Sequence, residues 1–237
     1  MMFHKIRTSI KENLYARVDI PYSRFGISSS LLKYLEKNKP ITLIDVGAYN
    51  GDFTNALSKY CGISKGLLIE PIPQRASHLG QLFPSPNYIV FACALSSKNE
   101  VVDFEVNEFQ ATSSILKIRR KMPELYSVNL ATSNIIQCPT KTLDEVVEEA
   151  DLGTVDLLKL DVQGAEHLVL AGARKTLQKT SLIWTEVSFK PLYEDSSTFA
   201  EIYSLMTNSG FKLFEVVPGF RAPDGELLQS DALFVRL

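Results

Sequence analysis

The amino-acid sequence predicts an α/β domain built on a mostly parallel sheet with helices on both faces. From residue 41 onward, short apolar runs alternate with stretches whose apolar residues recur at helical spacing, which is the pattern of successive β-α-β units. The chain has 237 residues, of which 45% are apolar and 22% charged, as in a globular protein with a sizeable core. We therefore expect one domain over residues 40–237.

Residues 1–39 are predicted to form a helical extension in front of this domain. Apolar residues fall at helical spacing in both halves of the segment, and Lys39-Pro40 ends its second helix. Basic residues outnumber acidic ones here. A solvated helical face is the favoured interpretation, and peripheral contact of these basic residues with an anionic membrane surface is the alternative. We expect no signal peptide and no transmembrane helix, because no apolar run is suited to either.

The strands and helices of the domain follow one another in a regular order. Gly62 is suited to end the first helix, because glycine readily adopts the left-handed conformation found at helix C-termini. A turn rich in Pro and Gly joins the last two strands, which indicates a terminal antiparallel pair, and the irregular residues 107–133 are expected to form a lid. Strands are predicted at residues 41–46, 66–69, 88–92, 101–106, 135–138, 155–160, 181–187, 211–217 and 232–235, and helices at 53–61, 74–83, 143–150, 164–177 and 198–208.

Charge and cysteine content narrow the classes of function. The formal net charge is -2, so no strong positive field favours binding to nucleic acid. Cys61, Cys93 and Cys138 are odd in number and far apart, which fits neither a disulfide framework nor a CxxC metal site. A reducing compartment, and hence a cytoplasmic location, is the expectation.

The strongest local signal is the loop DVGAYNGDFT between the first predicted strand and the first helix. Glycines at two of its positions allow a ligand and the helix to approach the backbone closely. Its two carboxylates suit a ligand with cationic groups better than a pyrophosphate, although capping of the helix is a structural alternative for the first of them. The cofactor-binding residues predicted here are Asp45, Gly47, Ala48, Tyr49, Asn50, Gly51 and Thr54.

An acid at the end of the second strand supports a nucleoside-type ligand. Glu70 follows the apolar run GLLI and lies 19 positions after Gly51. A carboxylate in this place accepts hydrogen bonds from two ribose hydroxyls. The combination of glycine loop and acid is more informative than either part.

A second group of acids is predicted at the same edge of the sheet. Asp161 ends the fourth main strand, Glu166 lies in the first turn of the next helix, and Glu186 ends the fifth strand. Because a buried carboxylate is costly unless it is paired or used, we interpret the three as a cluster that activates a hydroxyl. A divalent cation held by their oxygens is the less favoured alternative, and helix capping by Asp161 and Glu166 is compatible with both. The neighbouring His167 is expected to be exposed on the surface.

These motifs, in their order and spacing, resemble the FkbM family of S-adenosylmethionine-dependent methyltransferases. The resemblance covers residues 41–237 and rests on IDVGAYNGDFT, LLIEPIP, ACALSS, TKTLDEV, LLKLDVQGAEHLVLAGA, WTEVSF and DGELLQSDALFVR. It implies a Rossmann-like seven-stranded sheet of order 3-2-1-4-5-7-6. Position by position, it implies that the cofactor contacts the loop at Asp45, Gly47, Ala48 and Gly51, the acid Glu70 with its neighbour Pro71, the adenine-side residues Ala94 and Leu95, and Asp161.

The function expected from the resemblance is O-methylation of a hydroxyl on a sugar, glycolipid or natural product. Asp161 is the first choice for the base that takes the hydroxyl proton, and Glu186 is the second. A nicotinamide-dependent oxidoreductase would share the strand, turn and acid, but the loop lacks GxGxxG spacing. A non-catalytic interaction module that keeps the cofactor fold is the other alternative. The sequence indicates neither the acceptor nor the oligomeric state.

Overall fold

The structure is a computed structural model that describes residues 27–119 and 131–237. This part of the chain contains ten strands and seven α-helices. In chain order they are α1 (Ser29–Tyr34), β1 (Ile41–Val46), α2 (Asp52–Tyr60), β2 (Ile63–Ile69), α3 (Pro73–Leu82), β3 (Tyr88–Phe91), β4 (Ala94–Leu95), β5 (Val101–Asn107), a 3₁₀ helix (Gln110–Thr112), β6 (Thr132–Lys141), α4 (Leu143–Glu149), β7 (Val155–Leu160), α5 (Glu166–Ala171), α6 (Arg174–Gln178), β8 (Thr180–Ser188), α7 (Phe199–Asn208), β9 (Phe211–Pro218) and β10 (Gln229–Arg236).

Seven strands form the main sheet in the order β3-β2-β1-β7-β8-β10-β9. Five of them run parallel, and β10 is antiparallel to both β8 and β9. Numbered along the chain within this sheet alone, the order is 3-2-1-4-5-7-6, and the labels differ only because β4, β5 and β6 belong to a second sheet. The predicted Rossmann-like α/β fold is confirmed.

The central strands are covered on both faces, which explains their continuous apolar runs. Adjacent residues of β7 enter different cores: Leu157 packs in one cluster with Leu43 and Leu57, whereas Leu158 packs in the other. Because successive side chains of a strand point to opposite faces of the sheet, one strand contributes to two hydrophobic layers. This double burial holds the carboxyl ends of the central strands at a common edge.

Helix α1 packs against the main sheet. The Ser28 hydroxyl caps it by accepting a hydrogen bond from the N–H of Leu31 (3.0 Å), and it donates to Glu215 on β9 (2.7 Å). Leu31 and Leu35 are buried in the same cluster as Leu43. The rest of the predicted extension, residues 1–26, lies outside the described residues. Within residues 27–119 and 131–237, no helix is long and apolar enough to cross a membrane.

The second sheet has the order β4-β6-β5, with β5 antiparallel and β4 parallel to β6. It places Phe104 and the 3₁₀ helix opposite the ends of the main strands. In the segment predicted as a lid, Gln110, Ala111, Ser113 and Ile115 lie opposite these strand ends, and residues 120–130 lie outside the described part of the chain.

The helix predicted over residues 164–177 is wrong in its extent, because the chain forms two short helices, α5 and α6, in its place. The break falls at Gly172, where a Cβ would lie 2.5 Å from the carbonyl oxygen of Ser96. The start is also later than predicted, since Gln163 and Gly164 have φ values of 56° and 93° and cannot belong to a helix. At the break, the carbonyl oxygen of Gly172 accepts a hydrogen bond from the N–H of Asp144 (3.0 Å), a residue distant in sequence.

Candidate active site

A cleft opens at the carboxyl ends of β1, β2 and β7, where open α/β sheets bind their ligands. It encloses about 720 Å³, part of it at its open mouth. One wall comes from the main sheet and the loops after its strands, and the other from β5 and the segment around the 3₁₀ helix. The lining residues are Val46, Gly47, Tyr49, Ile69, Glu70, Pro71, Ile72, Cys93, Ala94, Leu95, Phe104, Gln110, Ala111, Ser113, Ile115, Asp161, Val162, Gln163 and Ala165.

The cleft gathers about half of the residues that the sequence predicted for the site. Those that line it are Gly47, Tyr49, Glu70, Pro71, Ala94, Leu95 and Asp161. Those that do not line it are Asp45, Ala48, Asn50, Gly51, Thr54, Glu166 and Glu186. The second set lies behind or beside the first, and within it Ala48 is buried against Leu68 and Leu79.

The glycines of the loop after β1 are required by the protein itself. Gly47 has φ 73°, and a Cβ there would lie 1.9 Å from the carbonyl oxygen of Asp161. Gly51 has φ 78° and precedes α2, and a Cβ there would lie 2.7 Å from the ring of Phe83. Both positions therefore exclude larger residues through conformation and through contact. The sequence attributed this need to a ligand as well as to the helix, and the structure shows the close contacts within the chain.

The carboxylate of Asp45 lies beneath the loop and is fully buried. Its Oδ2 accepts a hydrogen bond from the Thr54 hydroxyl (2.7 Å), and its Oδ1 lies 3.2 Å from the Nζ atom of Lys159. Two predicted cofactor residues thus bind each other, and a protein cation takes the place expected for a cationic group of the ligand. Asp45 and Thr54 support the loop from below.

Lys159 is a site residue to which the sequence analysis assigned no role. Its Nζ donates to the carbonyl oxygens of Gly47 (2.8 Å) and Val46 (3.4 Å), and it lies 3.7 Å from Oδ2 of Asp161. Burial alone would lower the pKa of Lys159, but the carboxylates of Asp45 and Asp161 raise it above its usual range. The lysine therefore remains charged and ties the end of β1 to the end of β7. The only sequence signal was a lysine inside an apolar strand.

Glu70 presents a fixed carboxylate to the cleft. Its Oε2 accepts from the backbone N–H of Tyr49 (2.9 Å), and its Oε1 accepts from that of Ile72 (3.0 Å). Burial raises the pKa of Glu70, and these two donors oppose that effect. Each carboxylate oxygen has room for a further hydrogen bond, which is what a pair of neighbouring hydroxyls requires.

Arg75 joins the glycine loop to the opposite wall of the cleft. Its guanidinium lies over the Tyr49 ring, 3.8 Å from the ring centroid, and donates to the side-chain oxygen of Asn50. The same group donates twice to the side-chain oxygen of Gln110, at 2.9 and 2.6 Å. Arg75 thereby connects the predicted residues Tyr49 and Asn50 to Gln110 on the opposite wall of the cleft.

An apolar slot lies beside Glu70. Ala94 and Leu95 form one side of it, and Phe104 and Ile115 line the cleft nearby. Ala94 and Leu95 are buried, and the apolar side chains on both sides of the slot suit a flat aromatic group. This is the place in which the sequence resemblance set an adenine.

Glu166 supports the loop after β7 from inside. It is 4% exposed, and its Oε1 accepts from the backbone N–H groups of Val162 (3.0 Å) and Gly164 (3.3 Å). Burial raises the pKa of Glu166 to about 7. Its neighbour His167, expected on the surface, is half-buried and does not line the cleft.

Asp161, Glu186 and Asp231 form an acidic cluster at the edge of the sheet. Glu186 and Asp231 are paired residues of the antiparallel strands β8 and β10. Burial, reinforced by the charge of Asp161, raises the pKa of Glu186 well above its ordinary value and that of Asp231 to about 7. Gln229 donates to Oε2 of Glu186 at 2.8 Å. Asp231 was missed by the sequence analysis, because only strand pairing brings it beside Glu186.

A divalent cation is not supported by this arrangement. In the part of the chain that the structure describes, no group of three or more His, Cys, Asp or Glu side chains is placed to hold a metal ion. The carboxylates of the cluster instead receive hydrogen bonds from amides, and Lys159 lies beside Asp161. The geometry suits proton transfer and recognition of hydroxyl groups.

In sequence, the chain is similar to known methyltransferases. The model of one family, the methyltransferase FkbM domain, matches residues 45–213. The chain is 29% identical over 217 residues to the 2-O-methyltransferase NoeI of Sinorhizobium fredii (strain NBRC 101917 / NGR234), covering 88% of this chain and 86% of that protein.

A solved structure shares the fold. The methyltransferase FkbM of Methylobacillus flagellatus KT superposes with a TM-score of 0.55 at 14% identity. The match covers 93% of this chain and 49% of that one, so the present chain spans about half the length of that structure.

Proposed function

The chain belongs to the methyltransferase FkbM domain family, and on that premise we propose that it transfers a methyl group from S-adenosylmethionine to a hydroxyl oxygen. The observation that carries the proposal is the presence of Glu70 and Asp161 in one cleft, directly after β2 and β7. Glu70 can accept hydrogen bonds from the ribose hydroxyls, and Asp161 can take the proton of the acceptor hydroxyl.

The residues of the cleft fit the parts of this cofactor. Glu70 would hold the ribose hydroxyls, and the slot at Ala94 and Leu95 would hold the adenine. Gly47 lines the same cleft, and its backbone lies against that of Asp161. When bound, S-adenosylmethionine supplies a methyl group activated by its sulfonium charge. The acids of the cluster favour a cationic ligand in this region.

Asp161 is the residue that we assign as the base. Its side chain is 42% exposed and lines the cleft, so an acceptor hydroxyl can reach it and donate a proton. The Nζ atom of Lys159 lies 3.7 Å from Oδ2 of Asp161. Glu186 is the second choice for the base. For Glu166, the contacts favour support of the loop over proton transfer.

The acceptor is proposed to be a hydroxyl of a sugar, glycolipid or natural product. The relative from Sinorhizobium fredii is a 2-O-methyltransferase, which supports oxygen as the methylated atom. Ser113 lines the cleft, and its hydroxyl can donate a hydrogen bond to a polyhydroxylated molecule. No nucleic acid is part of the proposal.

The remaining proposals concern the whole chain. We propose a methyltransferase domain over residues 40–237 and an extension over residues 1–39, of which α1 packs against the main sheet. For the basic residues of the extension, a solvated face is favoured over contact with an anionic membrane surface. A cytoplasmic location is supported by the free thiols of Cys61, Cys93 and Cys138.

A methyl-transfer assay with two variants tests the function. The full chain is incubated with methyl-labelled S-adenosylmethionine and a panel of sugar-nucleotide, glycolipid and natural-product hydroxyl acceptors, with and without magnesium. Asp161→Asn is expected to bind S-adenosylhomocysteine normally by calorimetry and to lose turnover by roughly 10²- to 10⁴-fold. Glu70→Ala is expected to weaken that binding by roughly 10-fold or more. Asp103→Asn, on the exposed side of β5, is the control.

The outcomes separate this function from its alternatives. Unchanged turnover in Asp161→Asn would remove that residue from the mechanism, and unchanged affinity in Glu70→Ala would refute its ribose role. A non-catalytic interaction module would show no methyl transfer with any acceptor and would tolerate both substitutions. A nicotinamide-dependent oxidoreductase would bind NADH more tightly than S-adenosylhomocysteine in the same calorimetric experiment.

A further inference from the structure

Gln163 has a backbone conformation that a residue with a side chain adopts at an energetic cost. Its φ is 56°, and the next residue, Gly164, also has a positive φ. Such strain persists only where the surrounding structure fixes it, and it concentrates at functional sites. Three contacts fix the loop here: Glu166 accepts from the backbone N–H of Gly164, and the Ser114 hydroxyl donates to the carbonyl oxygens of Val162 and Gln163.

The side-chain amide of Gln163 bridges two acids of the cluster. Its Nε2 donates to Oδ1 of Asp161 at 2.8 Å and lies 3.4 Å from Oε2 of Glu186. An amide nitrogen carries two N–H groups, so one is available for each carboxylate. The amide thus stands between two like-charged groups and binds both.

The orientation of this amide is set by a buried tyrosine. The Tyr193 hydroxyl, on a side chain that is 2% exposed, lies 2.9 Å from Oε1 of Gln163 and 2.9 Å from the carbonyl oxygen of Thr112. A hydroxyl that donates to Oε1 leaves the nitrogen of the amide facing the acids. The single phenolic proton is shared between Oε1 and the carbonyl oxygen of Thr112 in the 3₁₀ helix, so the tyrosine lies between the amide and the far wall of the cleft.

We propose that Gln163 is a positioning residue for methyl transfer, which holds Asp161 toward the acceptor and keeps Glu186 beside it through one amide N–H to each. The inference rests on the proposed function, because it takes Asp161 as the base. Gln163 acts through the two acids and is not assigned a proton.

A neutral donor is what this position requires. Asp161 already has the Lys159 ammonium near its Oδ2, and Asp231 and Glu166 add acidic groups on the neighbouring elements. A second cation beside Asp161 would make it a weaker base toward the acceptor hydroxyl. A further carboxylate would increase the repulsion within the cluster. The amide supplies hydrogen bonds without changing the charge.

The first test measures stability against pH and needs no acceptor. Gln163→Met removes the amide, and Gln163→Gly removes it while relieving the strain at φ 56°. Burial already raises the pKa of Glu186 well above its ordinary value, and both variants remove an N–H donor near its Oε2, so their stability deficit relative to wild type should grow as pH rises. We expect the Tm deficit relative to wild type to grow by roughly 3 to 6 °C between pH 5 and pH 8. Gln137→Met is the matched control, because Gln137 is exposed on β6 and its amide also donates to a carboxylate, that of Asp103.

The second test separates binding from turnover. Both variants should bind S-adenosylhomocysteine with the wild-type Kd, and with a methyl acceptor their kcat should fall by roughly 10- to 100-fold because the base is misplaced.

A Tm deficit that is the same at every pH, or an unchanged kcat, would overturn the positioning role. These results are distinguishable from failure of the proposed function, which would appear as no methyl transfer by the wild-type chain with any acceptor, while the stability of the Gln163 variants still varied with pH.

Discussion

Replacing Glu166 with glutamine tests whether this acid supports the loop after β7 or takes part in catalysis. The side chain is 4% exposed, and burial raises its pKa from an ordinary value of 4.5 to about 7. Between these values the folded chain holds a proton that the unfolded chain has released, so stability falls as pH rises through the window. The difference corresponds to about 3 kcal/mol of unfolding free energy, lost in full above pH 7.

Glu166→Gln should remove this pH dependence and keep the loop in place. The carbonyl oxygen of the new amide accepts from the N–H groups of Val162 and Gly164 as Oε1 does, and it carries no charge to desolvate. We expect the variant to match wild type near pH 4.5 and to exceed it above pH 7 by up to about 3 kcal/mol, or roughly 6 to 12 °C in Tm. Methyl transfer and binding of S-adenosylhomocysteine should be retained.

Chemical denaturation at pH 5, 6, 7 and 8 measures the effect directly. Glu148→Gln is the control, because Glu148 lies exposed on α4 and its replacement should show no such trend. A stability difference between Glu166→Gln and wild type that does not change with pH would refute the burial argument. Loss of turnover with normal binding would instead assign Glu166 the catalytic role that the sequence suggested.

Two further substitutions test the foundations of the site. Lys159→Met should cost about 3 to 5 kcal/mol, measured by denaturant unfolding, because it leaves the buried carboxylate of Asp45 without a cation; wild-type stability would show that this ion pair is dispensable. Gly47→Ala should prevent cofactor binding or folding, because its Cβ would lie 1.9 Å from the carbonyl oxygen of Asp161. Gly153→Ala is the control, since a Cβ there meets no atom within 4 Å, and equal Tm values for the two alanine variants would contradict the steric argument.

Much of the fold was predictable because its signals are local. The apolar runs of β1 and β7 and the glycine turn act within a few residues, and each appears where the pattern placed it. The predicted end of the preceding helix at Lys39-Pro40 is wrong, because α1 ends at Tyr34 and Leu35 already has an extended conformation. The break between α5 and α6 was missed, and there the carbonyl oxygen of Gly172 accepts a hydrogen bond from the N–H of Asp144, which is distant in sequence.

The candidate site divides in the same way. Glu70 and Asp161 were identified because each directly follows an apolar strand, and parallel strands end at one edge. The direction of the Asp45 side chain was not predictable, since it depends on Lys159 from a neighbouring strand. Asp231 joins Glu186 only through the register of β8 and β10, and the amide of Gln163 finds its partners only once the loop is folded.

The sequence by itself determined the order of the elements, the edge of the sheet at which chemistry is expected and the two acids that face the cleft. These follow from periodicity and from strand ends, which are properties of short segments. The tertiary structure decided which carboxylates remain available and which are bound by Lys159, by backbone N–H groups or by amides. Hydrogen bonds and ion pairs act over a few ångströms, so their partners are known only when distant parts of the chain have been brought together.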